Sequence, residues 1–382
     1  MIPYGRQDIR QEDIDAVTAV LRSDFLTQGP VVTRFERKLA DRVGAGHGVA
    51  VNSATSALHI ACLALGVGPG ETVWTSANTF VASANCTRYC GAAVDFVDVD
   101  PETGNMSVAA LRVKLETAAR AGQMPRVVIP VHFAGQPCDM DAIGGLAEEY
   151  GFSLIEDASH AIGAHWQGEP VGNGRYSDIT VFSFHPVKII TTGEGGIAVT
   201  NDGALAEHMA RLRSHGVTRD PECMSREPDG PWYYEQIELG FNYRLTDIAA
   251  ALGESQLARL DEYVGRRRAL AERYDRLLDG LPCRPLARTP GADSAWHLYV
   301  VRLDDPSRRR SVFDALRSRE IGVNVHYIPV PAQPDYARLG FAMADFPGAA
   351  AYYAGALSLP LHPGLSEGDQ DFVVSALREA LA

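Results

Sequence analysis

With 382 residues, 46% of them hydrophobic and 22% charged, the chain has the composition of a soluble globular protein and is too long for one small core. A formal net charge of −13 argues against a nucleic-acid or anionic-membrane surface, so any phosphate site has to be built locally from backbone amides and a few side chains. The start, Met1-Ile2-Pro3-Tyr4-Gly5-Arg6, has no apolar leader core and no later stretch reaches bilayer-spanning length, so a cytoplasmic protein with no membrane partner is expected.

Ile14, Val17, Val20 and Leu21 predict an amphipathic helix over 9–22. Val32, Phe35, Leu39 and Val43 predict a second after the break at Leu26-Thr27-Gln28-Gly29-Pro30. Gly48-Val49-Ala50-Val51 reads as a buried strand, and Asn52-Ser53-Ala54-Thr55-Ser56-Ala57-Leu58 as the turn into a helix. Free amide hydrogens at such a helix start form an anion site, to which Thr55 and Ser56 add hydroxyl donors; the same run is equally an ordinary N-cap by Ser53. Thr72-Val73-Trp74-Thr75 is the next strand. Phe80, beyond its end, stands either in the core or as a flat ring at the carboxyl edge of the sheet, against which a planar cofactor would stack.

Strands over 93–99, 127–131 and 152–155 follow, with helices over 108–119 and 140–150 between them. The last of these strands runs into Glu156-Asp157-Ala158-Ser159-His160. A carboxylate just past a buried strand lies where open α/β sheets bind ligands, so Asp157 is placed to hold a protonated pyridine nitrogen, with His160 near the oxygen side of the ring. A helix N-cap at Asp157 and a core histidine at 160 are the structural alternatives. His160 and His165 lack a third ligand at a recognisable spacing, and the six cysteines lack paired metal-type spacing, so no metal site is expected and the cysteines read as reduced packing residues.

The apolar strand 178–182 delivers Ser183-Phe184-His185-Pro186-Val187-Lys188 to the end of the sheet. Gly193-Glu194-Gly195-Gly196 then turns the chain into another strand at 197–199. Of 35 basic residues only Lys38, Lys114 and Lys188 are lysine. The first two lie at helical spacing among charged neighbours, whereas Lys188 lies in a turn among apolar and small residues. Arginine keeps its proton in a protein; a partly desolvated lysine amine can lose it and attack a carbonyl.

Strand–helix alternation over the first two thirds of the chain predicts a mostly parallel sheet covered on both faces. Residues 216–235, rich in Pro, Asp, Arg and Tyr, read as a surface excursion. A long helical pattern runs from there through Leu252, Leu257, Leu260 and Val264 to Leu281, and Pro282 marks the entry to a second domain. That domain is predicted to hold strands at 297–301 and 323–327 with a helix over 311–319 between them, and the arginine runs 266–268 and 308–310 are expected to be solvated helix faces. The expected division is a large domain over 1–250 and a linker helix with a small domain over 251–382, the first dozen residues being free to pack on the small domain.

Ser53-Ala54-Thr55-Ser56-Ala57-Leu58, Glu156-Asp157-Ala158-Ser159-His160, Ser183-Phe184-His185 with Lys188, the 193–196 glycine turn and Gly240-Phe241-Asn242-Tyr243-Arg244 stand in the order and spacing of one family. In these the chain resembles the sugar aminotransferases of the DegT/DnrJ/EryC1/StrS family over essentially its whole length. The resemblance implies an α/β protein of PLP-dependent fold type I, aspartate aminotransferase-like, with a large domain whose mostly parallel mixed sheet lies between helices and a smaller C-terminal α/β domain. It also implies a homodimer with shared active sites and pyridoxal 5'-phosphate (PLP) as cofactor.

By the same resemblance Lys188 carries the cofactor and Asp157 holds its ring nitrogen, both as catalytic residues. Phe80 stacks on the ring, Thr55, Ser56 and Ser183 cradle the phosphate, and His160 lies near the phenolic oxygen. Asn242 of the partner subunit reaches the phosphate. By analogy alone His185, His215, Arg244, His326 and Tyr327 are candidates for the sugar pocket. The known members of the family's dehydratase branch carry histidine where Lys188 stands, which sets this chain apart from them. Leu26-Thr27-Gln28-Gly29, Ser159-His160-Ala161, Arg213-Ser214-His215-Gly216 and Val325-His326-Tyr327 resemble the branch that works in pseudaminic acid synthesis. That likeness implies L-glutamate as donor, 2-oxoglutarate as its product, pyridoxamine 5'-phosphate between the half-reactions, and a UDP-linked 4-keto sugar, UDP-2-acetamido-2,6-dideoxy-β-L-arabino-hex-4-ulose, as acceptor. A relative acting on a perosamine- or legionaminic-type precursor is the nearer alternative, and a non-catalytic PLP-binding regulator the more distant one.

Overall fold

Seven strands build the central sheet of the computed structural model, which describes residues 1–382. They are β1 His47–Val51, β2 Thr72–Ser76, β3 Ala93–Val97, β4 Val127–Ile129, β5 Ser153–Asp157, β6 Ile179–Ser183 and β7 Gly196–Thr200, in the spatial order β1-β7-β6-β5-β4-β2-β3. From β3 to β6 every pairing is parallel, and β7 alone is reversed, antiparallel to both β6 and β1. Every residue of β6 and β7 is buried, as strands covered on both faces require.

Alternation along these strands sorts the side chains to two faces. Phe182, Ile197 and Val199 meet Phe35 and Leu39 of helix Pro30–Val43 and Leu257 of helix Asp247–Leu257. Val181 and Ala198 meet Leu58 and Ala61 of helix Ala54–Ala64 and Met209 of helix Gly203–Leu212. The mostly parallel, doubly covered sheet expected from the alternation of elements is the one observed.

A second body carries a three-stranded antiparallel sheet, with Tyr299–Leu303 between Cys283–Pro285 and Ala356–Leu359, and a core of its own around Val301, Leu316, Leu357 and Leu377. Residues 2–4 lie against this body. The Ile2 amide donates to Glu320 O at 2.9 Å, and the Leu361 amide donates to Tyr4 O at 2.9 Å.

Three expectations need correction. The helical pattern drawn from 252 to Leu281 is two helices, Asp247–Leu257 and Leu260–Leu277, with Ala258 and Arg259 between them. Ala250, Ala251 and Leu257 of the first belong to the large core, whereas the second reaches both cores, with Tyr263 and Val264 in the large one and Leu270 and Tyr274 in the small one. Residues 323–327 form no strand: Asn324 makes a single bridge to Ser358, and the chain then turns inward. Arg267 is no solvated residue, since it is 1% exposed and its Nη1 donates to the carbonyls of Trp296, His297 and Leu361 at 3.3, 3.2 and 3.0 Å, while desolvation pushes its pKa down to about 10. Three backbone acceptors stand in for the missing carboxylate.

The excursion closes on itself, because Val217–Thr218 pairs with Glu235–Gln236. Five of the six cysteines are buried and none is joined in a disulfide. No helix is long and apolar enough to cross a membrane.

Candidate active site

A cavity of about 990 Å³ opens at the carboxyl ends of the parallel strands, where the large sheet faces the small body. Five separate stretches meet there: the turn after β1, the turn after β2, the end of β5, the loop from β6 to β7, and residues 324–328. Such an edge is where an open α/β sheet leaves its strand ends free to hold ligands.

Asp157 is the last residue of β5 and is 4% exposed. Its Oδ2 accepts the Ser83 hydroxyl at 2.6 Å and its Oδ1 accepts the Ser159 amide at 3.1 Å, so the carboxylate is held rigidly at the cavity wall. Ser83 is itself fixed by Thr79 Oγ1 at 2.8 Å. Glu156 points to the opposite face of the strand, where it bonds His132 Nε2 at 2.7 Å, so only one of the two adjacent acids reaches the cavity.

Lys188 lies in the turn after β6, its amide donating to His185 O at 2.9 Å. The Phe184 amide donates to Gly195 O and the Thr192 amide to Phe184 O, which closes the loop and fixes where the lysine enters. The side chain keeps some surface toward the cavity, yet its amine is surrounded by protein. Desolvation pushes the amine down to about 8, with the Asp157 carboxylate pulling the other way. At neutral pH a usable fraction is therefore uncharged and nucleophilic.

The anion site is the start of helix Ala54–Ala64. Ser53 caps it, its Oγ accepting the Ser56 amide at 3.1 Å, and the Ser56 hydroxyl donates to Asn52 Oδ1 at 2.7 Å. The amides of Ala54 and Thr55 find no acceptor in the protein. The cap by Ser53 thus leaves two amides of the same turn free for an anion. Gly196 makes room for it: a Cβ at that position would fall on the Ala54 amide nitrogen. Ser183, opposite Gly196 in the β6–β7 register, faces the same corner.

Phe80 is 57% exposed and lines the cavity, so it is not a core residue. His160 is 5% exposed, accepts the Ala134 amide at Nδ1 (3.3 Å) and meets Tyr327 Oη at Nε2 (3.1 Å). Burial pushes its pKa well below the ordinary imidazole value, and nearby Lys188 and His326 add to the effect. His326, bonded to Ser358 Oγ at 2.8 Å, is pushed down to about 4 by burial. His185 sits exposed on the cavity wall.

Thr55, Ser56, Phe80, Asp157, His160, Ser183, His185, Lys188, His326 and Tyr327 thus converge on one cavity. His215, Asn242 and Arg244 do not line it. His215 and Asn242 are exposed, Ser214 bridges Asn242, and Arg244 pairs with Val51. The cavity also takes residues that the sequence did not single out: Tyr4, His297, Asn324 and Gln333. His297 is 4% exposed, and its Nδ1 finds no partner in the protein. Its only sequence signal is a histidine inside an apolar run that otherwise reads as strand.

The family model of the DegT/DnrJ/EryC1/StrS aminotransferases matches residues 7–378. The chain belongs to that family. It is 40% identical to the spore coat polysaccharide biosynthesis protein SpsC of Bacillus subtilis (strain 168) over 386 aligned positions, covering 99% of this chain and 96% of SpsC. Among solved structures, Spr1654 of Streptococcus pneumoniae in its PMP form, described as a sugar aminotransferase, superposes with a TM-score of 0.90 at 31% identity, covering 100% of this chain and 99% of that one. Helicobacter pylori PseC, an aminotransferase of pseudaminic acid biosynthesis, superposes with a TM-score of 0.90 at 29% identity and the same coverage. This member of the DegT/DnrJ/EryC1/StrS family is a PLP-dependent sugar aminotransferase of fold type I. The cavity fits the cofactor on its own terms, with unpaired amides for a phosphate, a rigid buried carboxylate for a ring nitrogen, an exposed flat ring in the same lining and a lysine amine of lowered basicity.

Proposed function

We propose that this aminotransferase moves the amino group of L-glutamate to C4 of UDP-2-acetamido-2,6-dideoxy-β-L-arabino-hex-4-ulose, giving UDP-4-amino-4,6-dideoxy-N-acetyl-β-L-altrosamine. The observation that carries the amino-transfer chemistry is Lys188, the one lysine of the chain that lines the cavity, in the same wall as the buried Asp157. The choice of sugar is supported by the likeness to PseC over the whole chain and by the motifs around 26–29, 159–161, 213–216 and 325–327.

In this reading the start of helix Ala54–Ala64, with Thr55, Ser56 and Ser183, holds the phosphate of PLP, Phe80 lies against the ring, and Asp157 keeps the ring nitrogen protonated. Bound there, PLP supplies an electron-withdrawing ring that acidifies the C–H bond beside an attached amine. Lys188 secures the cofactor until the donor amine displaces it. Once freed, its Nζ would take the proton from the donor's α-carbon and deliver it to the carbon that had carried the lysine, and it would run the same transfer in reverse for the sugar ketone. Burial keeps His160, His297 and His326 uncharged, which leaves Nζ as the strongest base among these buried groups.

The cavity is larger than cofactor and glutamate together require and stands at the upper end of ordinary ligand sites, in keeping with a nucleotide-linked second substrate. Its lining in one chain contains no arginine, although a nucleotide sugar carries a diphosphate. A homodimer supplies what is missing, with Asn242 and Arg244 of each copy serving the other's site. The large exposed side chains Trp232 and Leu239, 71% and 79% accessible in the single chain, would be covered in that assembly.

Purified enzyme offered L-glutamate and a panel of nucleotide-linked 4-keto-6-deoxy sugars tests the assignment. Fastest turnover is expected with the UDP-linked L-arabino ketone. Indifference to it, with turnover of another keto sugar, would overturn the substrate and favour the second reading, for which the 40% identity to a spore coat polysaccharide protein speaks: a different keto sugar destined for a surface polymer.

A further inference from the structure

The hydrogen bonds around His160 determine its tautomer, and the tautomer determines what Tyr327 does. A ring nitrogen that accepts an amide hydrogen carries no proton of its own, so the Ala134 amide at 3.3 Å leaves His160 Nδ1 bare. Burial beside Lys188 and His326 keeps the ring uncharged, so its single proton sits on Nε2. His160 is therefore the donor in its 3.1 Å contact with Tyr327 Oη. The Tyr327 oxygen is occupied as an acceptor, and its own hydrogen finds no acceptor in the protein.

The tyrosine cannot easily turn that hydrogen elsewhere. Its amide donates to Asn78 Oδ1 at 3.2 Å, its ring packs edge-on against buried Phe133 with centroids 6.2 Å apart, and the ring lines the cavity with its centroid 6.0 Å from that of Phe80. Burial suppresses its ionisation, with Tyr4 and Asp157 acting in the same direction, so at working pH the hydroxyl keeps its hydrogen and can donate it. A hydroxyl that already accepts a hydrogen bond is a better donor for it. The acceptor it best suits is an anionic oxygen, because with the neighbouring histidines uncharged such an oxygen depends on charge-assisted hydrogen bonds.

We propose that Tyr327 donates a hydrogen bond to an anionic oxygen of the bound ligand, either the phenolate of PLP or the carboxylate of the donor amino acid, and that His160 is the positioning residue that aims it. The inference rests on the PLP-dependent aminotransferase reading but not on the identity of the sugar, which its test never uses.

Holoenzyme carrying Tyr327→Phe, which removes one oxygen and leaves the ring packing in place, is compared with wild type in two measurements. The first is the pH at which the visible band of bound PLP changes, with no amino acid present. The second is the KM for L-glutamate against kcat in the half-reaction that bleaches the band. If the phenolate is the acceptor, the midpoint of the band rises by about one pH unit, roughly tenfold in the equilibrium, and the KM stays within about twofold. If the carboxylate is the acceptor, the midpoint stays and the KM rises about tenfold with kcat less affected. His160→Leu should move the same quantity in the same direction, and His160→Gln, which keeps a donor, should restore most of it.

The proposal is overturned if Tyr327→Phe binds PLP with both quantities unchanged, or if His160→Leu shifts either one while Tyr327→Phe shifts neither. Should the leucine variant fail to fold, Tyr327→Phe decides alone. A wild-type band that L-glutamate does not bleach would refute the donor assignment instead, and the pH midpoint would still decide for or against the tyrosine as phenolate donor.

Discussion

Lys188 is made reactive by its surroundings. The other two lysines are neutralised by partners, Lys38 by Glu254 at 2.6 Å and Lys114 by Asp95 at 2.6 Å with the Trp74 ring beneath it. Lys188 has no such pair, and desolvation outweighs the pull of Asp157, so its amine titrates near 8 instead of 10.5. In the cofactor-free protein, the rate of PLP capture should climb with pH through a midpoint near 8, because only the uncharged amine attacks the aldehyde. A midpoint near 10 in stopped-flow absorbance would contradict it. The same shift fixes a sign for stability. Between about pH 8 and 10.5 the unfolded chain holds a proton that the folded one lacks, so stability rises with pH across that window, and the cost of burying the charge is fully present below it.

At this scale the sequence was legible where chemistry is scarce. One lysine among apolar neighbours and one carboxylate past a buried strand both stand out in a chain that otherwise uses arginine. His297 and Tyr4 were not legible, because nothing local distinguishes a cavity histidine from a strand histidine, or a tyrosine near the start of the chain from a surface one.

Among the elements, the turn into helix Ala54–Ala64 and the β6–β7 loop are one construction. The glycine run predicts freedom to turn, and Gly193 does adopt a positive φ of 85°. Gly196 serves a different purpose: it lets the β7 backbone pass against the Ala54 amide at the anion site. Close approach of a distant segment leaves no trace in local sequence. Gly196→Ala should therefore lower the melting temperature, consistent with overpacking of about 1–3 kcal/mol, and weaken PLP binding by tenfold or more. Calorimetry and PLP titration check this, and wild-type values in both would refute the close-approach role. Tertiary contacts also decide two elements whose local spacing points elsewhere. Apolar spacing continues smoothly across Ala258 and Arg259, so it predicts one helix where two exist. The Val323-Asn324-Val325 alternation suggested a strand that makes only one bridge.

For the whole molecule, the cavity exists because two bodies meet over the strand ends, joined by helix Leu260–Leu277 and by Arg267, which reaches carbonyls at Trp296, His297 and Leu361. The order of the motifs along the chain was enough to anticipate the doubly covered sheet and the wall that it supplies. The wall supplied by the small body was legible only in part, since His326 and Tyr327 were found by analogy while Asn324 and Gln333 had no signal. The central claim is that one lysine among three joins this cavity to the aldehyde of PLP. Borohydride treatment of the native holoenzyme, then digestion and peptide mapping, reads out all three positions at once. The reduced pyridoxyl label should appear on the peptide containing Lys188 and on neither of the others; label on Lys38 or Lys114, or on no peptide at all, would contradict it.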